Sequence, residues 1–416
     1  MTAVLQDGLA ADDADRARRS AGRGLDALNL LVANVQTGFG PFIANYLTTA
    51  AWTQTDIGLA LSVGTATAMA SQIPAGALVD SMRNKTRVAA LSVLAFAASA
   101  LLLALHPIPL LVYFAEVLHG FSSCTLGPAI AAMSIGLAGS AALAERFGRN
   151  TRYSSIGNGI GAALMGACNS LLSARAVFFL AAALTLPTLA ALRPLRRYGD
   201  ALPVPPPRQR LAPREWLAAL GNFRLLSFCA GAMLFTFANS PLLPMVSSQL
   251  TVRAGSRAGW LIAACIVLPQ LIVAAAAPML GRWAQRYGRR SILALGFITV
   301  PLRAVLFARF SEPAAVVLVQ ALDGLAAAGF GILLPLVVSD ISGRSGHFNL
   351  CLGAAGFAVG IGGTLSTTAA GWVADHAGSA DAFRSLAVVG LLAVVVVAFV
   401  MPETAPAAGT APPKTG

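Results

Sequence analysis

The sequence predicts an all-α membrane protein whose twelve transmembrane helices form two pseudo-symmetric six-helix bundles. Three observations support this fold class: an apolar composition, a set of long apolar runs and an internal repeat. Of the 416 residues, 56% are hydrophobic and only 11% are charged, whereas a soluble protein carries about 25% charged residues. Because a helix needs about 20 apolar residues to cross a bilayer, and because the runs do not alternate as β-barrel strands do, we predict helices.

The apolar runs are separated by short polar breaks, and each run is long enough to be one span. The predicted spans lie near residues 27–48, 57–79, 88–106, 109–136, 153–172, 175–193, 224–249, 258–280, 291–309, 314–338, 350–374 and 384–402. All five cysteines fall within these runs and none forms a CxxC pair. We therefore interpret the cysteines as small packing residues rather than disulfides or metal ligands.

A basic, proline-rich stretch after the sixth span divides the chain into two halves of six spans each. We predict a cytoplasmic tail over residues 1–24 and an N-terminal bundle over 25–193. A cytoplasmic linker over 194–222 leads to a C-terminal bundle over 223–402, and residues 403–416 form a second cytoplasmic tail.

The distribution of positive charge predicts the topology. With an even number of spans both termini share one side, and 23 of the 29 Lys and Arg residues lie on that side. The positive-inside rule therefore places both termini in the cytoplasm. The net charge of +12 is then a topology signal, and we predict contact with the lipid bilayer and no nucleic-acid partner. We expect a monomeric multi-pass protein of the inner (plasma) membrane.

Three sequence matches in the same order indicate an internal duplication. The stretch "GALVDSMRNKTR" from Gly76 is matched 205 residues later by "GRWAQRYGRRS" from Gly281. The stretch "EVLHG" from Glu116 is matched 204 residues later by "QALDG" from Gln320. Asn150 is matched 199 residues later by an Asn, and nearby glycines follow the same offset. Duplicated bundles of this kind are typical of membrane transporters.

With these features, the chain resembles the major facilitator superfamily over about residues 25–402. The family motif G-x-L-A-D-R-x-G-R-R/K after the second span is matched at Gly76, Leu78, Asp80 and Lys85. The resemblance implies a cytoplasmic gate in which an Asp accepts hydrogen bonds from a helix N-terminus of the other half. The alternative is a solvated loop that only sets topology. The candidate gate residues in the two copies are Gly76, Asp80, Lys85, Gly281, Arg286, Gly288 and Arg289.

Two other family motifs are altered. Many members carry an Arg followed by Gln-Gly in the fourth span, but here Glu116 takes the Arg position and His119 the Gln position, while Gly120 is kept. The Gly-Pro-Gly-Gly pattern of many antiporters is replaced in the fifth span by "GNGIGAALMGACN". The family arginine therefore cannot be carried over to this chain as a proton-relay residue.

Glu116 and His119 are ionisable residues inside an apolar run. A charge at the bilayer centre costs about 2.5–3.5 kcal/mol, and Glu116 lies about 10 Å into its helix, on the same face as His119. A carboxyl shielded from water favours its neutral form, and His titrates near neutral pH. We predict that Glu116, His119 and the repeat-related Asp323 couple protons. Alternatively, these residues bond to each other or to a hydroxyl and only fix helix packing.

Arg303 lies within the ninth span at a depth similar to that of Asp323, so we predict a structural ion pair between them. Other polar residues within the spans are predicted to line a substrate cavity, with interhelical hydrogen bonds as the alternative role. These candidates are Asn34, Gln36, Gln72, Asn239, Gln270 and Gln320.

The motif search predicts that the protein is not an enzyme and has no cofactor. Neither of the two lysines, Lys85 and Lys414, belongs to a phosphate-binding G-x-x-x-x-G-K-[ST] loop. No metal-spaced Cys/His set or nucleophile elbow is present in the sequence. The family resemblance implies a secondary transporter in which two bundles rock around a midplane site.

The acidic groups favour proton-coupled export of a small amphipathic or cationic compound. Two alternatives stay open. The first is proton-coupled import of a neutral metabolite, which uses the same residues. The second is a membrane receptor or scaffold that transports nothing.

Overall fold

The computed structural model describes residues 2–82, 84–138, 143–199, 221–342 and 348–404. Side chains are described throughout these ranges except at residues 2–15, 73–78, 80, 81, 143, 144, 197–199, 277, 278, 348 and 349. Every regular element in the described ranges is helical, which agrees with the predicted all-α fold class.

The described residues of the first half of the chain form seven α-helices. They are α1 (Thr2–Thr37), α2 (Pro41–Thr49), α3 (Gln54–Ser81), α4 (Lys85–Leu105), α5 (Pro109–Ala138), α6 (Leu143–Leu171) and α7 (Ala176–Gly199). Because α1 begins at Thr2, the segment predicted as an N-terminal tail is largely the start of the first helix.

The second half repeats this succession of helices. It contains α8 (Phe223–Asn239), α9 (Leu242–Ala254), α10 (Ala258–Tyr287), α11 (Arg289–Arg309), α12 (Pro313–Gln320), α13 (Leu322–Ser342), α14 (Phe348–Ala377) and α15 (Ser379–Val395). A π-helical turn, Val396–Val400, continues α15.

Nine helical segments of the described residues are long and apolar enough to cross a membrane. One of them, Phe223–Ala276, contains the span predicted over 224–249 and most of the span predicted over 258–280. The helices α3 and α6 lie outside these nine segments. In α6 the reason is visible, because its first turns carry Glu145, Arg146, Arg149 and Arg152.

Two of the predicted spans are interrupted by proline. The span predicted over 27–48 breaks between α1 and α2, where Gly40 has φ 68° and Pro41 is the first residue of α2. A positive φ favours glycine, and proline suits a first helical turn because its missing N–H has no partner there. Pro241 similarly separates α8 from α9 in the span predicted over 224–249.

The span predicted over 314–338 breaks at Ala321, without a proline. The backbone N–H of Ala321 donates to the carbonyl of Leu318, and the backbone N–H of Gly324 donates to the carbonyl of Ala321. These bonds span three residues and form a tighter turn than the α-helix. All three breaks therefore leave irregular backbone inside a predicted span.

Contacts group the chain into two compact units whose boundaries differ from those of the sequence halves. The first comprises Met1–Trp52, Val63–Arg208 and Ser247–Val267; the second comprises Thr53–Ser62, Gln209–Val246 and Leu268–Gly416. The start of α3 thus groups with the C-terminal helices, and part of α9 and α10 groups with the N-terminal helices. The predicted bundle boundaries remain a sequence-based prediction.

Candidate functional site

The break between α1 and α2 lies beside His119 of α5. Phe39, the central residue of the break, is buried and stacks on the His119 imidazole, with ring centroids 4.2 Å apart and an interplanar angle of 7°. Phe96 of α4 lies at 5.5 Å from the same imidazole. Irregular backbone at membrane depth is tolerated where it lines a cavity or is buried in protein. The break therefore marks a candidate site in the first unit.

Glu116 is the most isolated ionisable group of this site. Its side chain is buried, with 2% of the residue exposed. Its Oε2 lies 3.6 Å from His119 Nδ1, which is too long for a hydrogen bond. Within the described part of the chain, Oε1 has no hydrogen-bond partner. An ionised carboxylate in this position lacks the donors that usually offset the cost of burial.

His119 connects this carboxyl to more accessible space. Its side chain is 22% exposed, whereas that of Glu116 is 3% exposed. The imidazole therefore lies between the buried carboxyl and the more accessible part of the site. Sequence reasoning placed these two residues on one helical face, and the structure adds Phe39 and Phe96 as the rings that enclose the imidazole.

The repeat-related site in the second unit contains an ion pair. Arg303 of α11 is 1% exposed; its Nη1 donates to Asp323 of α13 and its Nη2 donates to Asn239 Oδ1 at 2.5 Å. Asp323 has 23% of its side chain exposed. Asn239, predicted as a cavity residue, thus holds the buried guanidinium at the end of α8, just before the Pro241 break.

Gln320 ends α12 at the third helix break. It has no solvent exposure, and neither its amide nitrogen nor its amide oxygen has a hydrogen-bond partner among the described residues. Asn34 is also buried and packs against Gly161 of α6. Its nitrogen reaches the carbonyl of Leu30 at 3.4 Å, and its Oδ1 has no partner within the described structure.

The other predicted cavity residues are more accessible. Gln36 and Gln270 are half-buried, and Gln72 is exposed. The structure therefore brings Asn239, Arg303 and Asp323 into one cluster and Glu116 with His119 into another. It assigns no shared contact to Gln36, Gln72 and Gln270 within the described residues.

The predicted gate residues occupy varied environments. Gly76 and Asp80 belong to the part of α3 for which only the backbone is described, so the predicted roles of these two residues lie outside the described side chains. Lys85 Nζ donates to the carbonyl of Val79 at 2.5 Å, and Arg286 lies over the ring of its neighbour Tyr287 at 5.4 Å. A Cβ at Gly281 would meet nothing within 4 Å.

In the second copy of the loop motif, Gly288 and Arg289 are held within the second unit. Gly288 has φ 90°, and a Cβ there would lie 2.4 Å from Glu403 Oε2. Glu403 accepts from the backbone N–H of Arg289 at 2.8 Å. The Arg289 side chain is mostly buried and donates to Asp340 at 3.1 Å. These contacts hold the start of α11 against α13 and the chain after α15.

Sequence reasoning missed a buried polar network in the first unit. Asp26 of α1 accepts from Arg146 and Arg149 of α6, and Asn150 donates to Ser134 of α5 at 2.7 Å. Asp26 lies at the edge of an apolar run, so the rule that buried ionisable residues need partners could have identified it. The network joins three helices and acts as a structural anchor.

A second missed residue is Asp375, near the end of α14. Its carboxylate accepts from the backbone N–H of Gln54 at 2.9 Å and from the backbone N–H of Thr55 at 2.7 Å. Both donors belong to the first turn of α3, whose N–H groups have no partner inside the helix. No local sequence signal connects positions 320 residues apart, so only the structure identifies this cap.

Comparison with known proteins identifies the family. The model of the Major Facilitator Superfamily matches residues 26–267 and 225–416. An uncharacterised MFS-type transporter of Mycobacterium tuberculosis is 33% identical over 392 residues, which cover 92% of this chain and 93% of the relative. It is present as MT2531 in strain CDC 1551 and as Rv2456c in strain H37Rv. This chain belongs to the major facilitator superfamily.

Solved structures show the same fold at low sequence identity. A mutant of the nucleoside transporter NupG superposes with a TM-score of 0.78 at 16% identity, covering 92% of this chain and all of that chain. The peptide transporter POT in complex with sulfate superposes with a TM-score of 0.71 at 13% identity, covering 91% and 93%. The protein is therefore a multi-pass membrane transporter of the MFS type with a small-molecule substrate. Among the described residues, no group of three His, Cys, Asp or Glu side chains is arranged to hold a metal ion.

Proposed function

We propose that this transporter couples substrate movement to protons, and that Glu116 binds the coupled proton. The observation that carries the proposal is a buried carboxyl whose Oε1 has no hydrogen-bond partner among the described residues. Burying an unpaired ionised carboxylate costs several kcal/mol, so a neutral carboxylic acid suits the environment seen here. In another conformation that hydrates the group, the ionised form is favoured and the proton is released.

His119 supplies the route for that proton. Its imidazole lies between the partly exposed surface of the site and the carboxyl, and a change of about 1 Å brings its Nδ1 into hydrogen-bond range of Oε2. The stacked Phe39 ring restricts how the imidazole can turn. Proton exchange at Glu116 is thus tied to the geometry of the α1–α2 break.

The substrate class follows from the charges that the two sites expose. In the second site the carboxyl of Asp323 is partly exposed, whereas the guanidinium of Arg303 is buried behind it. An accessible carboxylate attracts cations and hydrogen-bond donors, and an anionic substrate gains nothing from a guanidinium that it cannot reach. We therefore propose a cationic or amphipathic compound as the substrate.

The proposed direction is export. An inside-negative membrane potential draws a monovalent cation inward with about 2.3 kcal/mol per 100 mV. Uptake of a cation therefore needs no proton coupling, whereas its export needs an energy source such as proton entry. The predicted topology, with both termini in the cytoplasm, and the predicted monomeric state in the inner membrane belong to the same proposal.

One observation favours a second candidate, which is proton-coupled import of a neutral polar metabolite. Arg303 neutralises Asp323, so a protonated Glu116 leaves the two clusters without net charge. A neutral substrate fits that state. The two candidates differ in direction, which vesicles of opposite orientation separate.

The decisive experiment replaces Glu116 in purified protein reconstituted into proteoliposomes. Glu116→Gln should abolish transport driven by a pH gradient and keep exchange of labelled against unlabelled substrate, because exchange needs no net proton movement. Tetraphenylphosphonium serves as the cationic probe and uridine as the neutral one. Glu145→Gln is the matched control, since Glu145 is an exposed carboxylate on α6.

Three outcomes decide the proposal: the first concerns proton coupling, and the other two concern the direction of transport. Full gradient-driven transport by Glu116→Gln removes this residue from the coupling mechanism. For direction, inverted membrane vesicles energised with an acidic interior should accumulate tetraphenylphosphonium if the protein exports cations. Accumulation of uridine by right-side-out vesicles, without any movement of the cation, selects the import alternative.

A further inference from the structure

Two glycines bring α3 and α5 into close contact at Glu116. A Cβ at Gly64 of α3 would lie 2.1 Å from Glu116 Oε2 and 3.3 Å from its carboxyl carbon. A Cβ at Gly120 of α5 would lie 2.3 Å from the carbonyl oxygen of Gly64. Real Cβ atoms essentially never come closer than 3.0 Å to another heavy atom, so a Cβ at position 64 would displace the Glu116 carboxyl and one at position 120 would displace the backbone of α3. Only glycine at position 64 allows the carboxyl to rest directly on the backbone of α3.

Two residues before Gly64, α3 is bonded to α14. Ser62 Oγ donates to the carbonyl of Thr364 at 2.5 Å, and it lies 2.7 Å from the hydroxyl oxygens of both Thr367 and Thr368. A Cβ at Gly58 would lie 2.2 Å from the carbonyl oxygen of Thr367. The contact is close-packed, so a displacement of a few tenths of an ångström disrupts it.

The first turn of α3 is held by the same partner. Asp375 accepts from Gln54 N, Thr55 N and Thr55 Oγ1, and a Cβ at Gly371 would lie 2.2 Å from the carbonyl oxygen of Gln54. Residues 54–62 of α3 are therefore fixed along residues 364–375 of α14. We name this contact the α3–α14 seam.

We propose that Gly64 is a positioning residue that links the protonation state of Glu116 to the α3–α14 seam. This inference rests on the proposed function of Glu116. A neutral carboxylic acid can lie against the apolar Cα of Gly64, whereas an ionised carboxylate requires water or donors on both oxygens. Ionisation therefore pushes α3 away at Gly64, and the rigid helix carries that movement over half a turn to Ser62.

Glu116 is the group that can drive this movement, because the ionisable residues on the surrounding helices bind elsewhere. His119 lies on the same helix, with its Nδ1 3.6 Å from Glu116 Oε2. Four of the others bind as follows: Asp56 of α3 to Thr53, Lys85 of α4 to the carbonyl of Val79, Arg175 before α7 to the carbonyl of Ala104, and Asp26 of α1 to Arg146 and Arg149 of α6. The remaining Arg and Glu residues described on α1, α4, α6 and α7 are exposed at the surface; they are Arg16, Arg18, Arg19, Arg23, Arg87, Glu145, Arg152, Arg193 and Arg196.

The experiment measures opening of the seam and needs no substrate. The full-length protein, with its five native cysteines replaced by serine, carries the reporter Thr367→Cys, which is buried in the seam. A membrane-impermeant maleimide is added on the predicted outer side between about pH 5 and pH 8. The labelling rate should rise by about fivefold or more with pH, the lower end of usual coupling between sites.

The variants locate the origin of that pH dependence. Glu116→Gln should make labelling uniformly slow, because the amide cannot ionise. Gly64→Ala should make labelling fast at every pH, because the methyl group keeps the carboxyl off α3. Gly127→Ala is the matched control, since a Cβ at that α5 position meets nothing within 4 Å, and it should keep the parent profile.

A second pair of variants covers the case in which Gly64→Ala does not fold. Glu116→Asp keeps an acid but withdraws it from Gly64 by one methylene group, so it should also lose the pH dependence. Combining Glu116→Asp with Gly64→Ala places a methyl group in the space that the shorter acid leaves. The double variant should therefore recover at least part of the increase in labelling rate with pH.

The outcomes separate this inference from the proposed function. A parent profile that is flat with pH, or a Gly64→Ala profile equal to the parent, overturns the role of Gly64 while transport by Glu116→Gln still tests proton coupling. Conversely, full gradient-driven transport by Glu116→Gln overturns the proposed function even if the seam responds to pH.

Discussion

The two repeat-related clusters occupy corresponding places in the sequence but differ in electrostatics. Each lies beside a proline-interrupted helix, at Pro41 and at Pro241. In the first, Glu116 is buried without a salt-bridge partner closer than His119 at 3.6 Å. In the second, Arg303 bonds to both Asp323 and Asn239. Duplication thus kept the helix breaks, while the side chains diverged into a buried carboxyl without a close counter-charge and a bonded ion pair.

This difference indicates that the two clusters have different roles. In an ion pair each charge satisfies the other, and removal of one partner leaves an uncompensated buried charge. An isolated carboxyl is poorly satisfied when ionised, so its protonation depends on the surrounding conformation. Under the proposed function, coupling belongs to the first cluster, and the second provides a fixed charge pattern for the substrate. The following predictions test that contrast through stability.

The largest expected effect is that of Asp323→Asn. The variant leaves the guanidinium of Arg303 buried without a counter-charge, which costs about 3–5 kcal/mol. The melting temperature of the purified protein in detergent should fall sharply. Asp381→Asn is the matched control, because Asp381 pairs with Arg384 on the surface and its loss should have little effect. Combining Asp323→Asn with Arg303→Gln should be less damaging than the sum of the single variants, whereas additive losses contradict the pair.

A smaller effect is expected for Asn239→Ala. The change removes the acceptor for Arg303 Nη2 and keeps the salt bridge with Asp323, which should cost about 1–3 kcal/mol. Thermal unfolding measures the loss. Thr236→Ala, one turn earlier on α8, is the comparison, because among the described residues its hydroxyl donates to the carbonyl of Ala232 in the same helix. Equal losses for the two variants indicate that Asn239 does not support the guanidinium.

The smallest expected effect on stability is that of Glu116→Gln. Because the carboxyl leaves no buried counter-charge behind, replacing it with the amide should change the free energy of unfolding by at most about 1 kcal/mol. Melting curves at several pH values measure the change. A destabilisation as large as that of Asp323→Asn shows that Glu116 has a structural partner, and the contrast between the clusters fails.

Much of the fold was accessible from sequence because the signals are local. The predicted spans correspond to helices, and the loop after α10 was recognised as a repeat of the loop after α3. The helix breaks were not predicted, although Pro41 and Pro241 were visible. Proline alone does not interrupt a helix in a membrane protein, because neighbouring helices can satisfy the freed backbone groups. The break at Ala321 has no proline, so sequence gave no signal for it.

The candidate site was accessible only in part. Glu116 and His119 stand out because ionisable residues are rare in apolar runs, and their spacing places them on one face. Arg289 was predicted as a gate residue from the motif, but in the structure it contacts Asp340 and the segment that carries Glu403. A motif defines a residue type at a position, and it does not define which carboxylate lies within reach.

The sequence by itself determined that this chain spans a membrane through duplicated bundles of helices. It could do so because a lipid environment requires each spanning segment to satisfy its own backbone hydrogen bonds, so length and apolarity decide the element. Only the tertiary structure decided that Gly64 receives the Glu116 carboxyl, that Asp375 caps α3 and that Asn239 holds Arg303. Each of these contacts joins residues on different helices. Whether such a contact forms depends on how the helices pack, to within a few tenths of an ångström, and no local sequence pattern encodes that packing.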